Sequence, residues 1–229
     1  AYVFTRSGTV WTQQAKITAA DGAAGDRFGL SVAAAGDTAV VGAFFDDTLA
    51  GTDAGSMYVF TRSAGVWTQQ AKLTASDGAA GDNFGDYVAV SADTAVAGAW
   101  QDDANTGSAY VFTRSAGVWT QQAKLIASDG AAGDNFGVSV AIVGDTAVVS
   151  SYADDTPSGV NSGSAYVFTR TAGAWTQQAK ITAADGAAND LFGQCVAVAG
   201  NTAFIGASGD DSSKGSAYIF DLTSYAPTI

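Results

Sequence analysis

Histidine and glutamate are absent from this 229-residue chain, cysteine and methionine occur once each, and proline occurs twice. Without histidine or glutamate, and with a single cysteine, the usual nucleophile and base pairs cannot be assembled and zinc lacks its customary ligands. The lone Cys195 cannot close an internal disulfide, and its place in the apolar run QCVAV predicts a buried, inert thiol. No apolar run reaches the roughly 18 residues that a membrane-crossing helix needs, so membrane insertion is not expected. Positive charge is also scarce: 10 Lys and Arg stand against 22 acids, for a net charge of -12. Such a chain cannot replace the counterions of a phosphate backbone, which excludes nucleic acid and leaves cations or basic surfaces as the expected partners.

All 22 acids are aspartate. Aspartate bonds its own nearby backbone and gathers in turns, whereas glutamate favours helices, so this composition predicts strands joined by tight loops. The rest of the sequence is a tandem repeat. YVFTRSAGVWTQQAKL stands at Tyr58–Leu73 and again, unchanged, at Tyr110–Leu125, with close copies from Tyr2 and Tyr166 and a truncated one from Tyr218. A second word, D-x-F-G, places its phenylalanine at 28, 84, 136 and 192, so the period alternates between 56 and 52 residues. That length fits one propeller blade. The repeats run at about 2–57, 58–109, 110–165 and 166–217, with a partial copy at 218–229, in one continuous array.

Within the second copy, Tyr87–Val90, Thr94–Ala99, Ala109–Arg114 and Val118–Leu125 read as four strands of a meander. The first two are small, apolar and nearly uncharged, as inner strands packed on both faces should be. The fourth alternates, with Trp119, Gln121, Ala123 and Leu125 expected on one face and Thr120, Gln122 and Lys124 on the other. The predicted fold is therefore all-β: a β-propeller of four-stranded antiparallel blades, four repeats plus one extra strand, either closed by itself or an excerpt of a longer array. Spare strands at both ends leave room for self-association through strand edges.

The succession FGxSVAV, GDTAVVGA and GSAYVF, carried by Phe28-Gly29, Phe84-Gly85, Phe136-Gly137 and Phe192-Gly193, resembles the FG-GAP repeat of integrin α subunits and bacterial surface proteins, over essentially the whole chain. The resemblance implies a non-catalytic extracellular or cell-surface module for adhesion, recognition or assembly. Two positions depart from the pattern. The hairpins that carry the D-x-D-x-D-G calcium loop in integrin-type repeats hold a single acid here, Asp37, Asp93 or Asp145, or none at Asn201, too few oxygens for that calcium site. The proline of Gly-Ala-Pro is replaced by Phe44, Trp100, Tyr152 and Ser208.

Meander connectivity sends 17 of the 22 acids to one loop face. They are Asp21, Asp26, Asp46, Asp47 and Asp53 of the first copy, Asp77, Asp82, Asp102 and Asp103 of the second, Asp129, Asp134, Asp154 and Asp155 of the third, and Asp185, Asp190, Asp210 and Asp211 of the fourth. Two readings fit these residues. Carboxylates and loop carbonyls between DGAAGD and the DD pair could converge on Ca²⁺, or the same aspartates could make Asx turns and cap loop amides. Phe44, Trp100 and Tyr152 lie beside that face, either as aromatic contacts for a protein or glycan ligand or as filling between blades. Every candidate aspartate except Asp53 recurs in each copy, while catalysis needs a unique asymmetric constellation, so the chain is read as non-enzymatic. The alternatives carried forward are a calcium- or carbohydrate-binding lectin-like module and a subunit of a filament or surface layer.

Overall fold

In a computed structural model, described over residues 1–225, the chain is an arc of antiparallel sheets. It opens with a hairpin of β1 (Tyr2–Ser7) and β2 (Val10–Lys16). Three four-stranded meanders follow in strict sequence order. Blade one holds β3 (Val32–Ala35), β4 (Thr38–Ala43), β5 (Ser56–Ser63) and β6 (Val66–Leu73). Blade two holds β7 (Val88–Ser91), β8 (Thr94–Ala99), β9 (Ser108–Ser115) and β10 (Val118–Leu125). Blade three holds β11 (Ser139–Val143), β12 (Thr146–Ser151), β13 (Ser164–Thr171) and β14 (Ala174–Ile181). The last blade has three strands, β15 (Phe192–Ala199), β16 (Thr202–Ala207) and β17 (Ser216–Asp221).

The first strands of successive blades touch in the order β3, β7, β11, β15, which sets them at the hub. Strand four lies outermost. The seam between blades is apolar and repeats: Val40 packs with blade-two residues, Val96 with blade three and Val148 with blade four, each fully buried. The motif phenylalanine seals each blade against its own third strand. Phe84 meets Tyr110 edge-on at 5.6 Å and Phe112 at 5.9 Å, and Phe136 and Phe192 repeat the arrangement.

The two halves of the repeated word interlock across that seam. A Cβ built on Gly42 would lie 1.8 Å from the Gly85 carbonyl oxygen of the next blade, and one on Gly98 would lie 1.9 Å from that of Gly137. Gly85 and Gly137 themselves hold φ of +90° and +94°, a conformation that glycine adopts without strain. Ser150 takes the place of this first glycine at the third junction.

Two expectations from the sequence are corrected. The outer strands do not alternate throughout. Gln121 pairs Phe112 but Ala123 pairs Val111, so Gln122 is an extra residue in a β-bulge, as are Gln14, Gln70 and Gln178 in their strands. Facing residues in an antiparallel pair share a face, so Trp119, Gln121 and Lys124 lie with Arg114, Phe112 and Tyr110, while Thr120, Ala123 and Leu125 lie on the other side. Lys124 has changed faces relative to simple alternation. The second correction is Cys195, which is exposed. It stands on the side of the last blade that no following blade covers, together with Phe204 at 42% exposure.

Candidate functional site: the aspartate, tyrosine and lysine cradles of the loop face

The bulge has a direct chemical result, because it turns the lysine of each outer strand towards the loop aspartates. In blade one the Lys72 ammonium lies 2.6 Å from Asp21 Oδ2 and 2.7 Å from Asp46 Oδ2. The Tyr58 hydroxyl donates to Asp21 at 2.9 Å, and Ser56 Oγ donates to Asp46. Blade two places Lys124 between Asp77 (2.8 Å) and Asp102 (2.7 Å), with Tyr110 donating to Asp102 at 3.1 Å and Ser108 Oγ buried without a partner among the described residues, and blade three repeats the full set with Lys180 between Asp129 and Asp154 (2.7 Å each). The lysine also stands over the tyrosine ring, at 5.3 to 5.5 Å from its centroid. Asp46, Asp102 and Asp154 are buried, so each is a carboxylate removed from water and compensated by a neighbouring ammonium.

Protonation follows from this packing. Burial alone would lower the affinity of Lys72, Lys124 and Lys180 for their protons, but hydrogen bonds to the two carboxylates more than offset it and hold all three above the ordinary lysine range. The hydrogen bond from Lys72 holds Asp21 below the usual carboxylate range. At Asp77 and Asp129 burial pushes upward, and the lysine and tyrosine contacts bring the net value down. Burial raises Tyr58, Tyr110 and Tyr166, which stay neutral hydroxyl donors.

The second aspartate of each DGAAGD-type loop has another use. Asp26, Asp82, Asp134 and Asp190 accept the backbone N–H three residues earlier, at 2.6 to 2.7 Å, closing Asx-type turns. Of the second acids in the DD pairs, Asp47 and Asp155 accept backbone N–H groups of their own long loops, from Asp53 and Asn161. Asp103 lies 3.7 Å from Lys124. Asp53 has φ of +53° and donates its own N–H within the loop. Asp21, Asp26, Asp46, Asp47, Asp53 and Lys72 line one concavity of about 360 Å³. No group of three or more carboxylates arranged to hold a metal ion is found among the described residues. In three blades the cation between the paired carboxylates is the lysine's own ammonium.

Blade four is the exception. Asp185 and Asp210 both accept from the Tyr218 hydroxyl, at 3.0 and 3.1 Å, and among the described residues no fourth strand brings a lysine. Conversely Lys16, in the first hairpin, is exposed and has Tyr2 beneath it but no aspartate partner among the described residues.

Phe44, Trp100 and Tyr152 are half-buried at the end of strand two. Trp100 donates to Asp86 at 2.9 Å, Tyr152 accepts from Asn135 at 3.2 Å, and Phe44 packs on Phe45 with ring centroids 4.1 Å apart. Each is tied to its own blade or loop with part of the ring left in solvent. The loops after strand two lean on the next blade: Phe84 N–H donates to Ala54 O, Phe136 to Thr106 O and Phe192 to Ser162 O. Only their tips stand clear, with Leu49 fully exposed and Val160 at 57%. Sequence reasoning missed the lysine, tyrosine and serine of the cradle. The signal available was the Gln-Gln doublet, which marks an extra residue in an otherwise alternating strand.

An arc of four-stranded meanders with inner strands at a hub defines the class as a β-propeller repeat array. The sequence pattern of the FG-GAP repeat matches residues 11–60, 67–112, 119–168 and 175–220, and the chain belongs to that family. Each matched segment begins in the outer strand of one blade and ends in the third strand of the next. No curated protein matches the chain. Among solved structures it is similar to TolB from Acinetobacter baumannii, at 12% identity and a TM-score of 0.44, over 81% of this chain and 38% of that one. It is also similar to the N-terminal domain of Nup159, at 11% identity and a TM-score of 0.42, over 85% of this chain and 45% of that one. The chain thus spans less than half the length of either.

Proposed function

We propose that this chain is a non-catalytic recognition module, extracellular or at the cell surface, whose acidic loop face meets a basic protein surface or a glycan. One observation carries the reading. The inner acids of the first three blades are taken up by lysines and loop amides, while the second acid of each DD pair, Asp47, Asp103, Asp155 and Asp211, stays exposed on the loop face that also carries the protruding Leu49 and Val160 tips. Like charges on a face with apolar tips offer steering and contact area to a cationic partner. The repetition of each titratable group argues against a single reaction centre.

The test is to immobilise the 229-residue chain and present an oligolysine peptide and a panel of glycans. Oligolysine or a defined glycan should bind, oligolysine binding should weaken as salt rises, and the Asp103→Asn/Asp211→Asn variant should bind more weakly at unchanged stability. Absence of binding to either probe class would reject the proposal. Brief proteolysis of intact source cells should degrade the protein if it lies at the surface and spare it if it does not.

A further inference from the structure

The two ends of the arc carry matching halves of a contact that the interior makes three times. At each internal seam a valine of strand two is buried against the next blade: Val40, Val96 and Val148 are all at 0% exposure, and Val88 and Val140 of the following first strands are at 6%. At the last blade the corresponding residue, Phe204, is 42% exposed. At the first blade the corresponding Val32 is 58% exposed. The outer strands repeat the relation in polar form. Gln14 accepts from Trp67 Nε1 at 3.0 Å, Gln70 from Trp119 at 2.9 Å and Gln122 from Trp175 at 2.9 Å. The next glutamine, Gln178, bonds only its own Thr176, and the first tryptophan, Trp11, is 64% exposed. The cradles end in the same way, with Asp185 and Asp210 lacking a lysine and Lys16 lacking aspartates.

We infer that this chain associates head to tail with a second copy of itself through a composite blade, in which the β1–β2 hairpin of one copy docks on β15 and β16 of the other. The hairpin enters as a unit and takes the place of β17, since β1 and β17 are both copies of the third strand. Lys16 and Tyr2 then complete the cradle of Asp185 and Asp210, Trp11 donates to Gln178, and Phe204 and Val32 leave water together. Charge complementarity and continuity with three seams of the same geometry select a second copy as the occupant. The contact joins two different surfaces, so it propagates into a ring or a filament rather than stopping at a symmetric dimer. It goes beyond the acidic-face reading and does not depend on it, because the outward acids Asp47, Asp103 and Asp155 take no part.

The experiment uses two blocked variants, Lys16→Glu with its tail intact and Asp185→Asn/Asp210→Asn with its head intact, each checked by circular dichroism for unchanged strand content. Light scattering should show the wild type growing in mass with concentration. Each variant alone should associate at least tenfold more weakly, and a one-to-one mixture should form dimers and nothing larger. Trp11→Ala serves as a second head-blocked variant if Lys16→Glu folds poorly. A wild type that stays monomeric at every concentration, including a compact monomer closed on itself, would overturn the inference, as would variants that assemble as well as the wild type.

Discussion

Single atoms decide much of this architecture, most plainly at the glycines of the Phe-Gly motif. A Cβ on Gly137 would lie 2.2 Å from the Ser108 carbonyl oxygen in a backbone already at φ +94°, whereas Gly29, at φ +98°, has only the Ala1 nitrogen nearby, at 3.8 Å. Backbone strain is therefore common to both positions and collision is confined to one. Gly29→Ala should cost about 1 kcal/mol from the positive φ alone, and Gly137→Ala about 3 kcal/mol or more once overpacking is added. Urea melts of the two variants compare them directly, and equal losses would show that the close approach of chain segments around Gly137 does not matter. The same scale explains Cys195. Its apolar neighbours predict burial, but burial on that face depends on a following blade, and none stands there among the described residues.

At the scale of the strand, the decisive feature is one extra residue. Bulging of Gln122 sends its side chain to Trp175 of the next blade and brings Lys124 round to Asp77 and Asp102. Replacing Lys124 by methionine would strand the buried Asp102 carboxylate; because the lysine keeps some contact with water, the expected loss is about 3 kcal/mol, the low end for breaking a buried pair. Deleting Gln122 removes the partner of Trp175 but leaves Ala123 opposite Val111 and Lys124 opposite Tyr110, so it should keep the cradle and cost less than Lys124→Met in the same melt. A deletion costlier than the point substitution would mean that the bulge itself is needed to hold the lysine between the aspartates. The legible part of this strand was its outer position and its polar edge. Its register was not legible, because strict alternation and a bulged doublet have the same composition.

Across the whole molecule the three complete cradles act together, and their protonation sets a window of stability. Asp21, Asp77 and Asp129 are held below the ordinary carboxylate value, so their contribution is present above about pH 4 and is lost as pH falls through their folded values. Burial raises Asp82, Asp86 and Asp134, which acts with the opposite sign: folding gains slightly as pH falls through their raised values. The lysines and tyrosines of the cradles are both raised, so their contribution is complete below about pH 10 and disappears as pH rises through their folded values. Thermal melts across pH should therefore show a broad plateau that rises gently towards mild acid, with steep losses below about pH 4 and above about pH 10. Stability that was flat into strong alkali would show that the ammonium and hydroxyl groups contribute nothing to folding.

The repeat, the four-stranded meander, the inner and outer strands and the acidic loop face can all be read along the chain. Each of these follows from local patterning, hairpin chemistry and the order of strands, all of which are written along one repeat. Tertiary structure alone decided that Lys72, Lys124 and Lys180 occupy the space between paired aspartates, that Gly42 and Gly98 meet the Phe-Gly backbone of the next blade, and that the arc leaves Phe204 and Val32 exposed. Those outcomes depend on which residues of different repeats come into contact. Identical words in sequence acquire different surroundings according to whether a neighbouring blade stands beside them.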